Sequence, residues 1–495
     1  MSNQKKYIIS IDQSTSASKV ILFNKKAELI HRISIPHRQI YPEPTFVEHD
    51  AVEIFENVRT GLRRMLVETN IQEDEIAGIA ITNQRETAVI WDKKTGQPVA
   101  NAAVWQCQRG ADFCKELIER GFSKIIQQKT GLIIDPYFSA SKLRWIMKNV
   151  NGLHEKALHG EILLGTIDSW LLYKLSGGKV HATDFSNACR TMLFNINSLE
   201  WDRELLELFS IPESMLPEVK YSDEIFGMTD PGVVFDQEHP IAGLIGDSHA
   251  AFFGQNCFEP GIGKATYGTG SSVMMNIGHT PVPPPKGLVT SIGFSRDKKI
   301  DYVFEGNIHC TGDTLNWLKN ELELINDVSE AEALATSVES NRGVYLVPAF
   351  VGLGAPYWNN NAQAVIVGMS RDSTKAHIVR AALESIAYQV KDLVDLMVTN
   401  NHVKLYALRV DGGPAQNDFL MQFQADMIQG IVDRASIEEI SALGSAFLAG
   451  LATGFWSKLE EIENLRKSDR TFSSKMEKEE CNRLYQGWKN AVAKT

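Results

Sequence analysis

The sequence predicts an α/β protein made of two domains. At 495 residues, the chain exceeds the roughly 250–300 residues at which a single hydrophobic core stops growing. Short apolar strand patterns alternate with longer amphipathic helix patterns, which is typical of the α/β class. A strand–turn–strand pattern near the N-terminus recurs past the middle of the chain, so we expect two domains of related architecture.

The first of these patterns is a hairpin with a hydroxyl-rich tip. Tyr7–Asp12 (YIISID) and Lys19–Phe23 (KVILF) are strand-like and flank the polar segment Gln13–Ser18 (QSTSAS). The other elements predicted in this half include strands over Leu29–Ile35 and Ile76–Thr82 and helices over Ala51–Glu68 and Ser139–Lys148.

The second hairpin is predicted over Gly263–Tyr267 and Ser271–Ile277, joined by the tight turn Gly268–Gly270. A Gly and Pro cluster over residues 252–262 marks the boundary before it. We therefore predict domains over residues 1–255 and 256–495. Two helices are predicted in the second half, Thr374–Met397 and Ser441–Gly454. The small residues of the latter favour either close packing or a nucleotide lying against its end.

Composition excludes several classes of function. The formal net charge of -11 works against binding to nucleic acids or anionic membranes. The six cysteines are scattered without metal-ligand spacing and are interpreted as reduced, mostly buried thiols. The N-terminus carries no apolar signal region, and no apolar run is long enough to span a bilayer. We expect a cytoplasmic enzyme without nucleic-acid or membrane partners.

Three segments have the composition of phosphate-binding turns, which need inward backbone N–H groups, hydroxyls and a carboxylate for Mg²⁺. They are Asp12–Lys19 (DQSTSASK), Thr266–Ser271 (TYGTGS) and Asp411–Pro414 (DGGP). Each is weak alone, but their order and spacing together are specific. No Walker A motif competes with them, because Gly263-Lys264 is followed by Ala265 and lacks the upstream Gly.

Together these turns resemble the actin and hexokinase type of ATPase fold, which is ribonuclease H-like and places a catalytic cleft between two domains. In detail, the chain resembles the FGGY family of carbohydrate kinases. Tyr137–Asn149 is similar to the first family signature, and Gly368-Met369 with His377–Glu384 is similar to the second. Segments typical of the glycerol-phosphorylating branch of the family include ITNQRET (81–87), VWQC (104–107) and VPAFVGLGAPYW (347–358). The resemblance covers essentially the whole chain.

The resemblance implies ATP-dependent phosphorylation of a primary hydroxyl of a small polyol. It places Arg85, Glu86, Trp105, Tyr137 and Asp247 in the polyol site. Arg and Glu can donate to and accept from adjacent hydroxyls, and aromatic rings can cover the C–H faces of a polyol. Asp247 corresponds to the general base, which accepts the proton of the attacking hydroxyl. Without the resemblance, an Arg85–Glu86 surface ion pair and an N-cap role for Asp247 remain open.

The nucleotide and metal residues also follow from the resemblance. ATP and Mg²⁺ are the implied cofactors, with Asp12 holding the metal ion, through water. The implied ATP-binding residues are Ser14, Thr15, Ser16, Lys19, Thr269, Gly312, Gly413 and Asn417. The subunits of relatives form dimers and tetramers, so a homodimer or homotetramer is expected.

Departures from the glycerol-specific pattern leave the acceptor open. Ser14 and Lys19 stand where the pattern has Gly and Arg, and Ser248 and Ser272 stand where it has a Gln and a Phe. The two smaller residues would enlarge the pocket and add hydrogen-bonding groups, with Ser248 still beside the substrate. Glycerol, converted to glycerol 3-phosphate, is the leading candidate. A four- or five-carbon polyol or ketose is the alternative.

Other classes of function fit the sequence less well. Gly246-Asp247-Ser248 superficially matches a GDS esterase and Ser139-x-x-Lys142 a serine acyl-enzyme, but neither motif has its required partners in the required order. A catalytically silent ATP-binding sensor is the remaining rival, and the retained acidic and basic site residues argue against it.

Overall fold

The computed structural model describes residues 5–359, 361–401, 403–437 and 439–495. The chain divides into two compact units. The first comprises Met1–Asn256, Thr290–Tyr302 and Glu439–Arg466, and the second comprises Cys257–Val289, Val303–Glu438 and Lys467–Thr495. Two segments from the second half of the chain thus belong to the first unit. A division of the chain at one point of the sequence does not describe this arrangement.

The strands of the described residues, in chain order, are β1 (Tyr7–Gln13), β2 (Ala17–Asn24), β3 (Leu29–Pro36), β4 (Glu48–His49), β5 (Ile76–Asn83), β6 (Ala88–Asp92), β7 (Ala102–Ala103), β8 (Ile162–Thr166), β9 (Ala182–Asp184), β10 (Phe194–Asn195), β11 (Glu200–Trp201), β12 (Glu218–Lys220), β13 (Ile225–Met228), β14 (Pro240–Gly246), β15 (Ile262–Tyr267), β16 (Ser271–Gly278), β17 (Val289–Arg296), β18 (Lys299–Ile308), β19 (Tyr345–Val347), β20 (Val365–Val367), β21 (Ala407–Gly412), β22 (Ile431–Ala435) and β23 (Ser468–Ser473).

The α-helices are α1 (Ala51–Thr69), α2 (Ala111–Glu119), α3 (Ser123–Thr130), α4 (Ser139–Asn149), α5 (Leu153–Leu158), α6 (Ile167–Leu175), α7 (Phe185–Ala188), α8 (Arg203–Phe209), α9 (Asp247–Gly254), α10 (Gly312–Asn320), α11 (Glu330–Thr336), α12 (Lys375–Asn401), α13 (Asp418–Ile428), α14 (Ile440–Thr453), α15 (Leu459–Glu463) and α16 (Lys478–Val492). Short 3₁₀ helices cover Glu73–Glu75, Cys189–Thr191, Glu213–Met215 and Gly413–Gln416.

The main sheet of the first unit has the strand order β13-β14-β5-β1-β2-β3. Strand β1 runs antiparallel to β2 and parallel to β5, which in turn runs parallel to β14. Every residue of β5 is buried, as a continuous apolar run in a covered parallel sheet requires. A smaller sheet, β4-β7-β6-β8, belongs to the same unit.

The sheet that contains the second hairpin has the order β17-β18-β16-β15-β21-β22-β23. Strand β15 runs antiparallel to β16 and parallel to β21, and β21 runs parallel to β22. This is the arrangement of β2-β1-β5-β14 repeated with a different sequence. The predicted two-domain α/β fold, with a hairpin opening each half, is therefore confirmed.

Helix α14 packs in the core of the first unit, against α9 and β14. A Cβ atom added at Gly444 would lie 1.8 Å from the carbonyl oxygen of Ala250 on α9. One added at Gly243, which has a φ of +67°, would lie 2.4 Å from the carbonyl oxygen of Ser445. Because these backbones approach so closely, the small residues of this helix serve close packing.

The six cysteines are free thiols, and all of them are buried. In the portion of the chain that the structure describes, no helix combines the length and apolar character needed to cross a membrane.

Candidate active site

The turn between β1 and β2 holds itself in shape through Ser14. The backbone N–H and the hydroxyl of Ser14 both donate to the carbonyl oxygen of Ala17, at 2.9 and 3.0 Å. A serine can therefore stand in this turn, because its hydroxyl joins the turn itself. Thr15 is partly exposed and Ser16 is exposed at the tip, so their hydroxyls are the more accessible ones.

Lys19 and Asp12 form an ion-pair cluster at the base of this turn. The Lys19 ammonium lies 2.8 Å from Glu439 Oε2 and 3.5 Å from Asp12 Oδ2, and Glu439 also pairs with Arg32 at 2.8 Å. Burial raises the pKa of Asp12 to about 6, against the opposing effect of Lys19. The negative charges of Asp247 and Glu439 contribute to the same rise. Glu439 was not anticipated from the sequence.

Arg85 and Asp247 are brought together from the end of β5 and the start of α9. The Arg85 Nε atom lies 3.4 Å from Asp247 Oδ1, and the Arg85 side chain is almost completely buried. Asp247 keeps about a third of its side chain exposed and accepts the backbone N–H of Ser248 at 2.6 Å. Gly246 is the N-cap of α9, so Asp247 is the first helical residue rather than the cap. The exposed part of its carboxylate is accessible to a substrate.

Glu86 is buried rather than exposed on the surface. Its carboxylate lies 2.5 Å from Arg190 Nε, and each of the two side chains is 1% exposed. Glu86 has a φ of +60°, and its carbonyl oxygen accepts the hydroxyl of Ser139 at 2.9 Å. Arg190 was missed by sequence reasoning. The signal that could have revealed it is a charged residue inside the apolar run ACRTMLF.

Trp105 and Tyr137 form an aromatic pair beside these charges. Their ring centroids are 5.4 Å apart, and the Trp105 Nε1 atom donates to Thr15 Oγ1 at 3.0 Å. The Arg190 guanidinium lies 6.0 Å from the centre of the Tyr137 ring. Within the first unit, Trp105 therefore links the residues predicted to bind the polyol to the turn between β1 and β2.

The segment that carries Tyr137 is held by a buried ammonium group. Lys142 Nζ donates to the carbonyl oxygens of Pro136, Tyr137 and Phe138 at 2.8, 2.5 and 3.1 Å. Burial lowers the pKa of Lys142 to about 8, although the charge of Glu86 opposes this effect. The spacing of Lys142 from Ser139 matches an acyl-enzyme motif, but in this fold Lys142 holds the loop over residues 136–138 in place.

In the second unit, three glycine turns converge. The backbone N–H of Thr311 donates to the carbonyl oxygen of Thr269 at 2.9 Å. That of Gly312 donates to the carbonyl oxygen of Gly268, also at 2.9 Å. A Cβ atom at Gly312 would lie 2.6 Å from the Gly268 carbonyl oxygen, and one at Gly412, with a φ of +96°, would lie 1.9 Å from that of Tyr267. The predicted nucleotide residues Thr269, Gly312 and Gly413 therefore occupy one region of this unit.

Gly413 itself is exposed and has open space around its α-carbon. Asn417 follows it as the N-cap of α13, where its side chain accepts the backbone N–H of Leu420 at 2.8 Å. The side-chain oxygen of Asn417 thus caps the helix, and the side-chain amide nitrogen is the group that could bind a ligand.

Comparison with known proteins finds similar proteins over nearly the whole chain. The N-terminal and C-terminal domain models of the FGGY family of carbohydrate kinases match residues 7–254 and 263–453. The chain is similar to a glycerol kinase of Bacillus cytotoxicus, with 50% identity over 489 residues, or 99% of each chain. It is similarly related to glycerol kinase 2 of Thermotoga maritima, with 50% identity over 490 residues and 99% of each chain.

Solved structures agree on the fold. The glycerol kinase of Plasmodium falciparum with ADP superposes with a TM-score of 0.95 and 36% identity, covering 99% of this chain and 98% of that one. A xylulose kinase from Rhodospirillum rubrum has a TM-score of 0.87 at 22% identity, covering 99% of each chain, which shows the shared fold.

The fold and the clustered charges, hydroxyls and aromatic rings define a kinase that acts on a small hydroxylated substrate. The protein belongs to the FGGY family of carbohydrate kinases. The family and the polyol kinase activity predicted from the sequence are thereby confirmed.

Proposed function

We propose that the protein transfers the γ-phosphoryl group of ATP to a primary hydroxyl of glycerol, releasing glycerol 3-phosphate and ADP. The observation that carries this proposal is the accessible Asp247 carboxylate held beside the buried Arg85. Relatives that share about 50% identity over nearly the full chain are glycerol kinases, which supports glycerol as the acceptor.

The polyol would bind to charged and aromatic groups of the first unit. Arg85 would donate to one hydroxyl, and Glu86, fixed by Arg190, would accept from a neighbouring one. The rings of Trp105 and Tyr137 would cover the C–H face of the carbon chain. Because Arg85 and Glu86 are buried and already oriented by ion pairs, little ordering of these two charged side chains would be needed on binding.

Asp247 would act as the general base. Its carboxylate would accept the proton of the attacking hydroxyl as that oxygen bonds to the γ-phosphorus and the bond to the β–γ bridging oxygen breaks. The backbone N–H of Ser248 and the guanidinium of Arg85 both contact the Asp247 carboxylate and orient it.

In the first unit, Thr15, Ser16 and Lys19 would face the phosphates of the nucleotide. In the second unit, Thr269, Gly312 and Gly413 are the residues proposed to bind the nucleotide. Ser14 would contribute by shaping the turn, and Asn417 through its amide nitrogen.

Asp12 would hold Mg²⁺ through water. Among the described residues, no group of three or more His, Cys, Asp or Glu side chains could cage a metal ion. This fits Mg²⁺, which keeps several waters and binds through one or two carboxylates plus substrate phosphates. When bound, the ion would neutralise charge on the phosphates.

A longer acceptor is the second candidate. Ser248 is small and partly buried directly beside Asp247, in a position where a Gln would fill more space. The extra volume and the hydroxyl suit a four- or five-carbon polyol or ketose.

The test is ADP release from MgATP in the presence of glycerol, erythritol, threitol, ribulose or xylulose. We expect the highest kcat/KM on glycerol and a decrease of about 10²–10⁴-fold in kcat for Asp247→Asn. Asp297→Asn, at an exposed position, is the matched control. A higher kcat/KM on a longer compound would favour the second candidate. ATP binding without turnover on any acceptor would contradict both and indicate a sensor.

A further inference from the structure

Six side chains and backbone groups form a closed hydrogen-bond ring in the first unit. Its members are Thr15, Gln39, His49, Gln84, Thr87 and Trp105. They come from the β1–β2 turn, the segment after β3, strand β4, the segment after β5 and the segment after β7. The ring therefore joins the first phosphate turn to the aromatic cover of the polyol site.

One side of the ring runs through His49. The Gln39 amide nitrogen donates to the Thr15 carbonyl oxygen at 2.9 Å, and Gln39 Oε1 lies 2.8 Å from His49 Nε2. The Gln84 amide nitrogen lies 3.2 Å from His49 Nδ1. Since an amide nitrogen can only donate and an amide oxygen can only accept, His49 must accept at Nδ1 and donate at Nε2.

The other side of the ring runs through Trp105. The hydroxyl of Thr87 donates to Gln84 Oε1 at 2.9 Å and accepts the backbone N–H of Trp105 at 3.2 Å. The Trp105 indole then donates to Thr15 Oγ1 at 3.0 Å. Because this oxygen accepts from Trp105, the hydroxyl hydrogen of Thr15 remains available to donate to a phosphate oxygen.

The side of the ring that His49, Gln84 and Thr87 form is buried. His49 and Thr87 are 0% exposed and Gln84 is 1% exposed. Burial, with a further contribution from His37, lowers the pKa of His49 to about 3, so the imidazole stays neutral at ordinary pH. A displacement of Trp105 that left Thr15 in place would break the part-buried hydrogen bond between their side chains, so the two residues are expected to move together.

We propose that this ring couples the two substrates, with His49 and Gln39 as positioning residues that transmit the placement of Trp105 to Thr15. This inference rests on the proposed function, in which the acceptor contacts Trp105 and a phosphate contacts Thr15. Ordering of Trp105 by the acceptor orders the phosphate turn, so each substrate binds more tightly when the other is present.

The experiment measures the dissociation constant of a non-hydrolysable ATP analogue with Mg²⁺ by calorimetry, without and with saturating glycerol. In the wild-type protein we expect glycerol to tighten binding by about 5- to 150-fold. In His49→Leu and Gln39→Leu, that ratio should decrease towards one. His49→Gln, which offers one acceptor and one donor, should restore most of it. Trp105→Phe, which keeps an aromatic face but removes the indole N–H, should also lose the coupling.

His31→Leu is the matched control, because His31 lies on the partly exposed β3 and pairs with Glu68 outside the ring. Thermal unfolding checks that each variant is folded, and Gln39→Leu, at the less buried edge, retains the test if His49→Leu does not fold. Folded variants with an unchanged ratio would overturn the proposal, as would a wild-type ratio of one. Neither outcome decides the proposed function, which the separate assay of ADP release with glycerol and the longer acceptors tests.

Discussion

Arg190 Nε lies 2.5 Å from Glu86 Oε1, and both side chains are buried within the first unit. Removal of one partner leaves an uncompensated buried charge, which costs far more than loss of an exposed pair. Glu86→Ala should therefore decrease the free energy of unfolding by about 3–5 kcal/mol and raise the KM for the acceptor. Urea unfolding and steady-state kinetics measure the two effects. Glu480→Ala, which breaks an exposed pair with Arg483, should cost less than about 1 kcal/mol, and equal costs at both sites would contradict the argument.

Lys142→Met should raise the KM for the acceptor by about tenfold while changing the KM for ATP much less. The substitution removes the ammonium that binds three carbonyl oxygens of the segment carrying Tyr137, so the ring of Tyr137 is no longer held in place. Lys148→Met, on the exposed side of the same helix, is the control. Equal changes in both KM values would indicate a general loss of structure instead.

Gly444→Ala should destabilise the protein by about 1–3 kcal/mol and lower kcat. The added methyl group would meet the Ala250 carbonyl oxygen on α9, the helix that begins with Asp247. Thermal unfolding and kcat together measure this. Gly430→Ala is a suitable control, because the nearest atoms to its added Cβ lie at 3.5 Å. An unchanged kcat in a destabilised Gly444→Ala protein would separate packing from catalysis.

Asp392 makes the stability of the second unit depend on pH. Its carboxylate accepts from Tyr357, Tyr485 and Trp488, and burial raises its pKa to about 6 from the usual 3.8. A raised folded-state pKa means that its stabilising contribution is fully present below 3.8 and is lost as the pH rises through about 6. Between pH 4 and 7 the wild-type protein should therefore lose about 2 kcal/mol relative to Asp392→Asn. Urea unfolding of both proteins across this range measures the difference, and a constant difference would show that Asp392 does not titrate as stated.

Ser248→Gln should shift selectivity towards the smaller acceptor. The longer side chain fills space beside Asp247 and supplies an amide for a terminal hydroxyl, so the ratio of kcat/KM for glycerol to that for erythritol should increase about tenfold or more. Ser248→Ala, which removes the hydroxyl without filling the space, is the control and should not increase the ratio. A ratio unchanged in Ser248→Gln would place this residue away from the bound acceptor.

The sequence predicted those features that depend on neighbouring residues. The strands of both hairpins, the helix over Lys375–Asn401 and the turns around Ser14 and Gly413 follow from local patterns of apolar, hydroxyl and glycine residues. Contacts between distant residues left no such pattern. Arg190 lies 104 residues from Glu86, and Glu439 lies 420 residues from Lys19. The hydrogen-bond ring likewise escaped prediction, because each of its Gln, His and Thr residues has an ordinary polar neighbourhood in the sequence.

The burial of all six cysteines limits the reaction of the enzyme with oxidants and alkylating reagents. Burial raises the pKa of Cys114 and of Cys189 to about 11, so that little thiolate exists at these positions at neutral pH. The thiolate is the reactive form, and in the native protein it is both scarce and shielded. Modification by a maleimide or by peroxide then requires unfolding that exposes the thiols, and the rate of labelling measures how often such unfolding occurs.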